Sequence, residues 1–138
     1  MLPSRVKDLC LYRMEKAKGD LEAAQILYEK KLFSQSLNRS YYAIFHMARA
    51  LLALDEFDTR KHTGIIAYFN KEYIANGTFD KKYSKIIKGA ERMRCKSDYD
   101  DFYIVSKDET LKQIDDAKQF IEKLEGFIRK RLENFGRI

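Results

Sequence analysis

The sequence predicts an all-α fold, an up-and-down bundle of four long antiparallel helices with a shorter fifth. Three observations carry this. Apolar residues recur at three- and four-residue spacings along nearly the whole chain, no run of four or more residues alternates cleanly enough to make a strand, and the one proline, Pro3, stands at the very start. The first helix follows Pro3 and Ser4, with Val6, Leu9, Cys10, Ala17, Leu21, Ala24, Leu27 and Tyr28 on one stripe. A polar break at Phe33-Ser34-Gln35-Ser36 offers serine caps for a second helix reaching about Leu54. Asp58 or Thr59 then caps a third helix, which Asn76-Gly77 ends through the left-handed conformation that glycine tolerates. A fourth helix spans about Phe79 to Lys96, with Tyr83, Ile86, Ile87, Ala90 and Met93 on one side, and residues 97–103 read as an aromatic loop. Ser106 and Glu109 have capping-box spacing. They open a last helix carrying Ile114, Ala117, Ile121, Leu124, Ile128 and Phe135, on the order of 40 Å long at a rise of about 1.5 Å per residue.

At 138 residues, with 45% apolar residues, nine Tyr and nine Phe, the chain is one domain, 1–138, that can bury a core. Disordered, collagen-like and disulfide-scaffold classes are excluded. No run approaches the roughly 18 to 20 apolar residues of a membrane span. The N-terminal residues lack the apolar stretch of a secretory signal, so a cytoplasmic protein without a membrane partner is expected. Cys10 and Cys95 have no metal-ligand spacing and read as two reduced thiols, with Cys10 in the core. HExxH, glycine-rich phosphate-loop, GxSxG and paired-carboxylate signatures are all absent from the sequence, so no metal and no cofactor is expected.

The formal charge of +6 is concentrated. Between Arg60 and Lys96 lie ten basic and three acidic residues, so that segment holds the whole excess and the remainder is close to neutral. A solvated helical face explains such a segment, and so does a footprint for a phosphate-bearing ligand or an acidic partner.

The second helix has two faces. Leu37, Tyr41, Ile44, Phe45, Ala48, Leu51 and Leu52 form its core stripe. Arg39 and His46 fall on the opposite side, close in angle because seven residues is nearly two turns. Tyr42, Ala43, Arg49 and Ala50 share that side. The small alanines would admit another backbone or a ligand, and Tyr42 offers a ring for stacking. An imidazole titrating near neutrality exchanges protons, and a guanidinium about 10 Å along the same stripe binds phosphate or developing charge. A packing or surface histidine is the plainer reading. Arg94 falls on the apolar side of the fourth helix and needs a partner, for which Asp98 is the nearest candidate; a buried ion pair and a site arginine are the two readings. His62, beside Ile65, Ile66, Phe69 and Tyr73, reads as a packing histidine.

The run from Leu37 to Leu52, with Lys61-His62-Thr63-Gly64, Arg94 and Asp98-Tyr99-Asp100-Asp101, resembles the small single-domain branch of the HEPN family over nearly the whole chain. The resemblance implies a five-helix bundle, usually a homodimer. It further implies a metal-independent endoribonuclease or toxin encoded beside a nucleotidyltransferase antitoxin; a non-catalytic nucleotide- or RNA-binding partner module is the alternative within the family. Arg39 and His46 match the family's catalytic Arg and His, with six residues between them. Ser40 stands where active members often carry Asn, Asp or His. Ala48 stands where one branch carries a nucleotide-modified tyrosine, so that regulation is not implied. The substrate-binding set expected around the pair is Ser40, Tyr42, Arg49, His62, Arg94 and Tyr99, with RNA or a nucleotide as ligand.

Overall fold

The structure is a computed structural model that describes residues 3–136; of the expected domain 1–138, the two residues at each end lie outside it. Five α-helices follow one another: α1 (Ser4–Glu29), α2 (Phe33–Ala53), α3 (His62–Phe69), α4 (Lys81–Tyr99) and α5 (Lys107–Gly136). Four are long and one is short, as expected, the short one being α3, and no strand occurs among the described residues. A π-helical turn, Asn70–Ile74, continues α3.

The helix ends follow local chemistry, with three differences from the expected bounds. α1 closes on Lys31, whose φ of 63° is left-handed. The amide of Leu32 donates to the Leu27 carbonyl and that of Lys31 to Tyr28, a Schellman turn built without glycine. α2 therefore starts at once after Leu32, with no serine cap, and Ser36 instead sends its hydroxyl to the Ala24 carbonyl of α1 (2.7 Å). α3 begins two or three residues later than Thr59 or Asp58 would place it, after Lys61. α4 is capped by Asp80, which accepts from the Lys82 amide (2.9 Å), and it runs on through Tyr99, so part of the expected aromatic loop is helix. Gly77, at φ 81°, ends the segment after the π turn as foreseen. The Ser106–Glu109 capping box forms in both directions.

α2 is the one α-helix of the described chain that packs against all four others. Its predicted core stripe, Leu37 through Leu52, is buried throughout. Its opposite side is buried too: Ser36, Ala43 and Ala50 lie on one stripe of α2, all with no exposed surface, and α1 packs along it. The backbone that the small alanines admit is thus α1 of the same chain. On α1 the inward stripe is Val6, Cys10, Met14, Ala17 and Ala24, while Leu9, expected in it, is 41% exposed. Phe69, Phe79, Phe120 and Tyr73 pack ring against ring near the C-terminal half of α5. Beside them Arg131 ties Asp55 (2.6 Å) to the Tyr73 hydroxyl (2.9 Å).

Because Ala43 has no free surface on the α1 side, Ala43→Leu should overpack that contact and cost about 1–3 kcal/mol in urea unfolding; an unchanged midpoint would contradict the close α1–α2 approach.

Candidate functional site

Two turns of α2 carry Arg39, Tyr42 and His46 past the same stretch of α1. There the Asp20 carboxylate takes a hydrogen bond from the Arg39 guanidinium (3.2 Å) and its other oxygen stands 3.7 Å from His46 Nε2. The Arg39 guanidinium lies over the Tyr42 ring, 4.9 Å from its centroid, and Tyr42 stacks on His46 at 5.7 Å. Asp20, Arg39, Tyr42 and His46 thus form one cluster. Asp20 and His46 each keep only 12% of their side-chain surface exposed, whereas Arg39 keeps 40%.

The electrostatics follow from that burial. Desolvation, and then the cations Lys16, Arg49, Arg39 and Arg13, push His46 down to about 4. Desolvation pushes Asp20 up, with Arg39 and Lys16 opposing. His46 is consequently a neutral imidazole at physiological pH, the form that accepts a proton. Oδ2 of Asp20 is buried without a hydrogen-bond partner, which leaves it able to receive an N–H from His46 after a small closure.

A second cluster adjoins the first across two shared rings. His62, the first residue of α3, stacks on Phe45 at 4.1 Å and meets the edge of Tyr42 at 6.0 Å. Its Nδ1 lies 2.6 Å from the Tyr41 hydroxyl and 3.9 Å from the Glu91 carboxylate of α4. Burial raises Glu91, but the hydrogen bonds from Arg94 and Cys95 outweigh it and hold the carboxyl below its ordinary value. Arg94 binds Glu91 at 3.0 Å and Asp98 at 3.3 Å. The Asp98 pair anticipated from sequence is present, and Glu91 is the closer partner. The Arg94 guanidinium also covers the Tyr41 ring at 5.1 Å.

The remaining residues of the expected set fall elsewhere. Ser40 is fully buried, donates to the Leu37 carbonyl (2.9 Å) and accepts from Gln113 of α5 (2.8 Å), so it faces the core and has no route to a substrate. One residue is 100° of helix, which turns Ser40 away from the face that holds Arg39. Arg49 is bound through two of its nitrogens to Asp58, which buried Arg13 also holds, so it staples α1, α2 and the loop before α3. Tyr99 is 79% exposed at the end of α4 with no hydrogen bond to either cluster. Sequence reasoning did not single out Asp20, Arg13 or Glu91. A signal existed for two of them: Arg13 and Asp20 stand at helical spacing from the buried Ala17, a position where a charge requires a partner.

The basic segment divides. Arg60 and Lys61 lead directly into His62, and Arg94 sits against Tyr41, next to the site. Lys82, by contrast, lines a groove of about 1380 Å³ with Lys7, Lys123, Lys130 and Phe127, which contains none of the cluster residues. Among the described residues no group of side chains is arranged to hold a metal ion, and no helix is long and apolar enough to cross a membrane.

These features define an all-α bundle with an Arg–His site on its most enclosed helix. The model of the HEPN domain family matches residues 11–127. A Methanocaldococcus jannaschii protein named "Putative toxin" is 33% identical over 119 residues, which cover 86% of this chain and 88% of that protein. A Thermotoga maritima protein named "UPF0332 protein" is 30% identical over 129 residues, 91% of this chain and 92% of its own length. The chain belongs to the HEPN domain family.

A histidine depressed on folding destabilises the native state as pH falls below the unfolded value, because the unfolded chain takes up the proton first; Asp20, raised on folding, acts in the opposite sense. The two contributions offset in a melting curve, so the imidazole itself is the direct readout. In an NMR titration His46 should remain neutral at about pH 5.5, a full unit below the ordinary histidine midpoint; a midpoint near 6.5 would contradict the buried, cation-ringed site.

Proposed function

We propose that the chain is a toxin-type HEPN protein that cleaves RNA without a metal ion, using Arg39 and His46. The observation that carries this reading is the Asp20-anchored cluster, in which a neutral imidazole and a partly exposed guanidinium share one face of α2. The name that the Methanocaldococcus relative bears, and the motif match to the family's catalytic pair, support the toxin and ribonuclease parts.

In this reaction the ribose 2′-oxygen attacks the adjacent phosphorus as His46 takes its proton. The bond from phosphorus to the 5′-oxygen breaks, leaving a 2′,3′-cyclic phosphate and a 5′-hydroxyl end that gains a proton. Arg39 stabilises the charge that builds on the phosphoryl oxygens, where a preorganised cation acts most strongly. Tyr42 provides a face for a base, and Arg60 and Lys61 hold the flanking phosphates. A homodimer, with the α2 strips of two copies forming a cleft, and a nucleotidyltransferase that restrains the toxin complete the proposal. Location in the cytoplasm, where RNA is the substrate, follows from the same reading.

The test is single-stranded RNA incubated with purified protein in the presence of a chelator. Cleavage is expected, and His46→Ala should reduce it at least about 10²-fold while the melting temperature stays close to wild type. Equal cleavage by that variant would refute the assignment. Absence of cleavage by the wild type, with retained RNA or nucleotide binding at the same strip, would favour the binding-module alternative.

A further inference from the structure

The outside of the bundle carries two surfaces that neither the Arg–His strip nor the core accounts for, and each has what the other lacks. We propose that the acidic, aromatic loop at the end of α4, residues 99–104, docks into the basic groove between α1, α4 and α5 of a second copy of this chain. Copies then join head to tail, through a contact separate from the α2 strip.

The loop has the chemistry of a docking knob. Tyr99 is 79% exposed, Phe102 94% and Ile104 87%, whereas no other large apolar side chain of the described residues exceeds 64%. Neighbouring apolar groups left this bare mark an interaction surface. The residues around them hold them outward. Asp100 takes the amide of Phe102 on its side chain (3.0 Å) and the amide of Tyr103 on its carbonyl (3.1 Å). The Tyr103 hydroxyl bonds Glu109 of α5, Lys96 covers the Tyr103 ring at 4.4 Å, and Val105 is buried. A loop fixed in this way loses little freedom on binding. Asp98, Asp100 and Asp101 charge it, and residues 97–105 contain no cation.

The groove is the complement. Leu11, Phe127 and Leu132, half-buried against the core, form an apolar floor. Lys7, Lys82, Lys123 and Lys130 stand along it without an ion pair to any described residue. Arg129 also lines the groove but is held by Glu125, and two carboxylates, Glu122 and Glu133, leave the surface net positive. An RNA backbone would meet those carboxylates and leave the apolar floor against phosphate. The loop instead brings apolar groups to the floor and carboxylates to the lysines.

Reach decides which groove the loop can enter. Lys82 and Tyr83 lie in the first turn of α4 and Tyr99 is its last residue. At a rise of about 1.5 Å per residue they are roughly 24 Å apart, so the loop fits only a groove on another copy. Such a contact is heterologous: each copy keeps a free loop at one end and a free groove at the other. It uses neither Arg39, Tyr42 nor His46, so it can coexist with a two-fold contact through α2 and join pairs into larger assemblies. The two aromatic side chains offer on the order of 300–500 Å². That is small for a stable interface, so association is weak and grows with concentration.

The experiment is sedimentation velocity of the purified chain from micromolar to near-millimolar concentration, with one variant on each surface. Phe102→Ser with Ile104→Ser alters the loop, and Lys123→Glu with Lys130→Glu alters the groove; all four positions are exposed, and circular dichroism checks that the fold is kept. The mean mass of the wild type should rise with concentration and fall as salt is raised from about 0.05 to about 0.5 M, because exposed charges are screened. Each variant alone should keep one small, concentration-independent mass. Mixed one to one, the two variants should form a larger species than either, since the intact loops of one meet the intact grooves of the other. A wild-type mass that does not change with concentration, or a mixture no larger than its parts, would overturn the proposal. So would a groove variant that loses affinity for a fluorescent single-stranded RNA yet assembles as the wild type does, which would make the groove a nucleic-acid surface. None of these readouts involves cleavage, so the ribonuclease reading stands or falls separately.

Discussion

The enclosure of α2 is the constraint on which the rest depends. With helices packed on four sides of it, nearly every position must be apolar, small, or polar with a partner, and each class is found where geometry demands it. Leu37 through Leu52 fill the core stripe. Ala43 and Ala50 let α1 approach, and Ser40 bonds Gln113. What remains for chemistry is a narrow strip, Arg39, Tyr42 and His46, held between α1 and solvent. Its burial is enough to make the imidazole neutral and its exposure is enough to leave Arg39 in reach of a ligand.

Charges brought into such a fold need partners, and the pairs here do more than cancel. Asp20 joins α1 to α2 at the site itself. Asp58 gathers Arg13 and Arg49 from both helices and fixes the loop that leads to α3, and so fixes where His62 begins. On α4, Glu91 pairs with Arg94, whose guanidinium covers the Tyr41 ring. An arginine such as Arg49, which the family resemblance offers for the substrate, is therefore occupied in tying α2 to Asp58 in the loop before α3. Lone exposed ion pairs contribute little to stability; their consequence here is register and electrostatic field.

Much of this was legible in the sequence, for physical reasons that also mark where it stopped. Helical spacing reports burial one helix at a time, so five helices, the α2 core stripe and the placement of Arg39 and His46 away from it were readable from the chain alone. Which residues meet across helices depends on register, and the α1–α2 register is set by a Schellman turn at Lys31, where glycine, the usual marker, is missing. Asp20 was hidden for that reason, although its spacing from Ala17 and Ala24 marked it as inward-facing. Ser40 adjoins Arg39 in the motif but not in space, because one step along a helix turns a side chain into the core. The charge excess lies on α3 and α4 as expected, but it does not form one surface: Arg94 sits against Tyr41 beside the site, while Lys82 lines a separate groove.

The central claim is that side chains alone, with no metal ion, cut RNA by internal transfer at this strip. The chemical identity of the new ends reports it most directly. Mass spectrometry of a short RNA digested in chelator should find a 2′,3′-cyclic phosphate on one fragment and a 5′-hydroxyl on the other. Fragments ending in 3′-hydroxyl and 5′-phosphate would contradict the account, because they require water as the nucleophile and leave the 2′-oxygen, and with it the role of His46, out of the reaction.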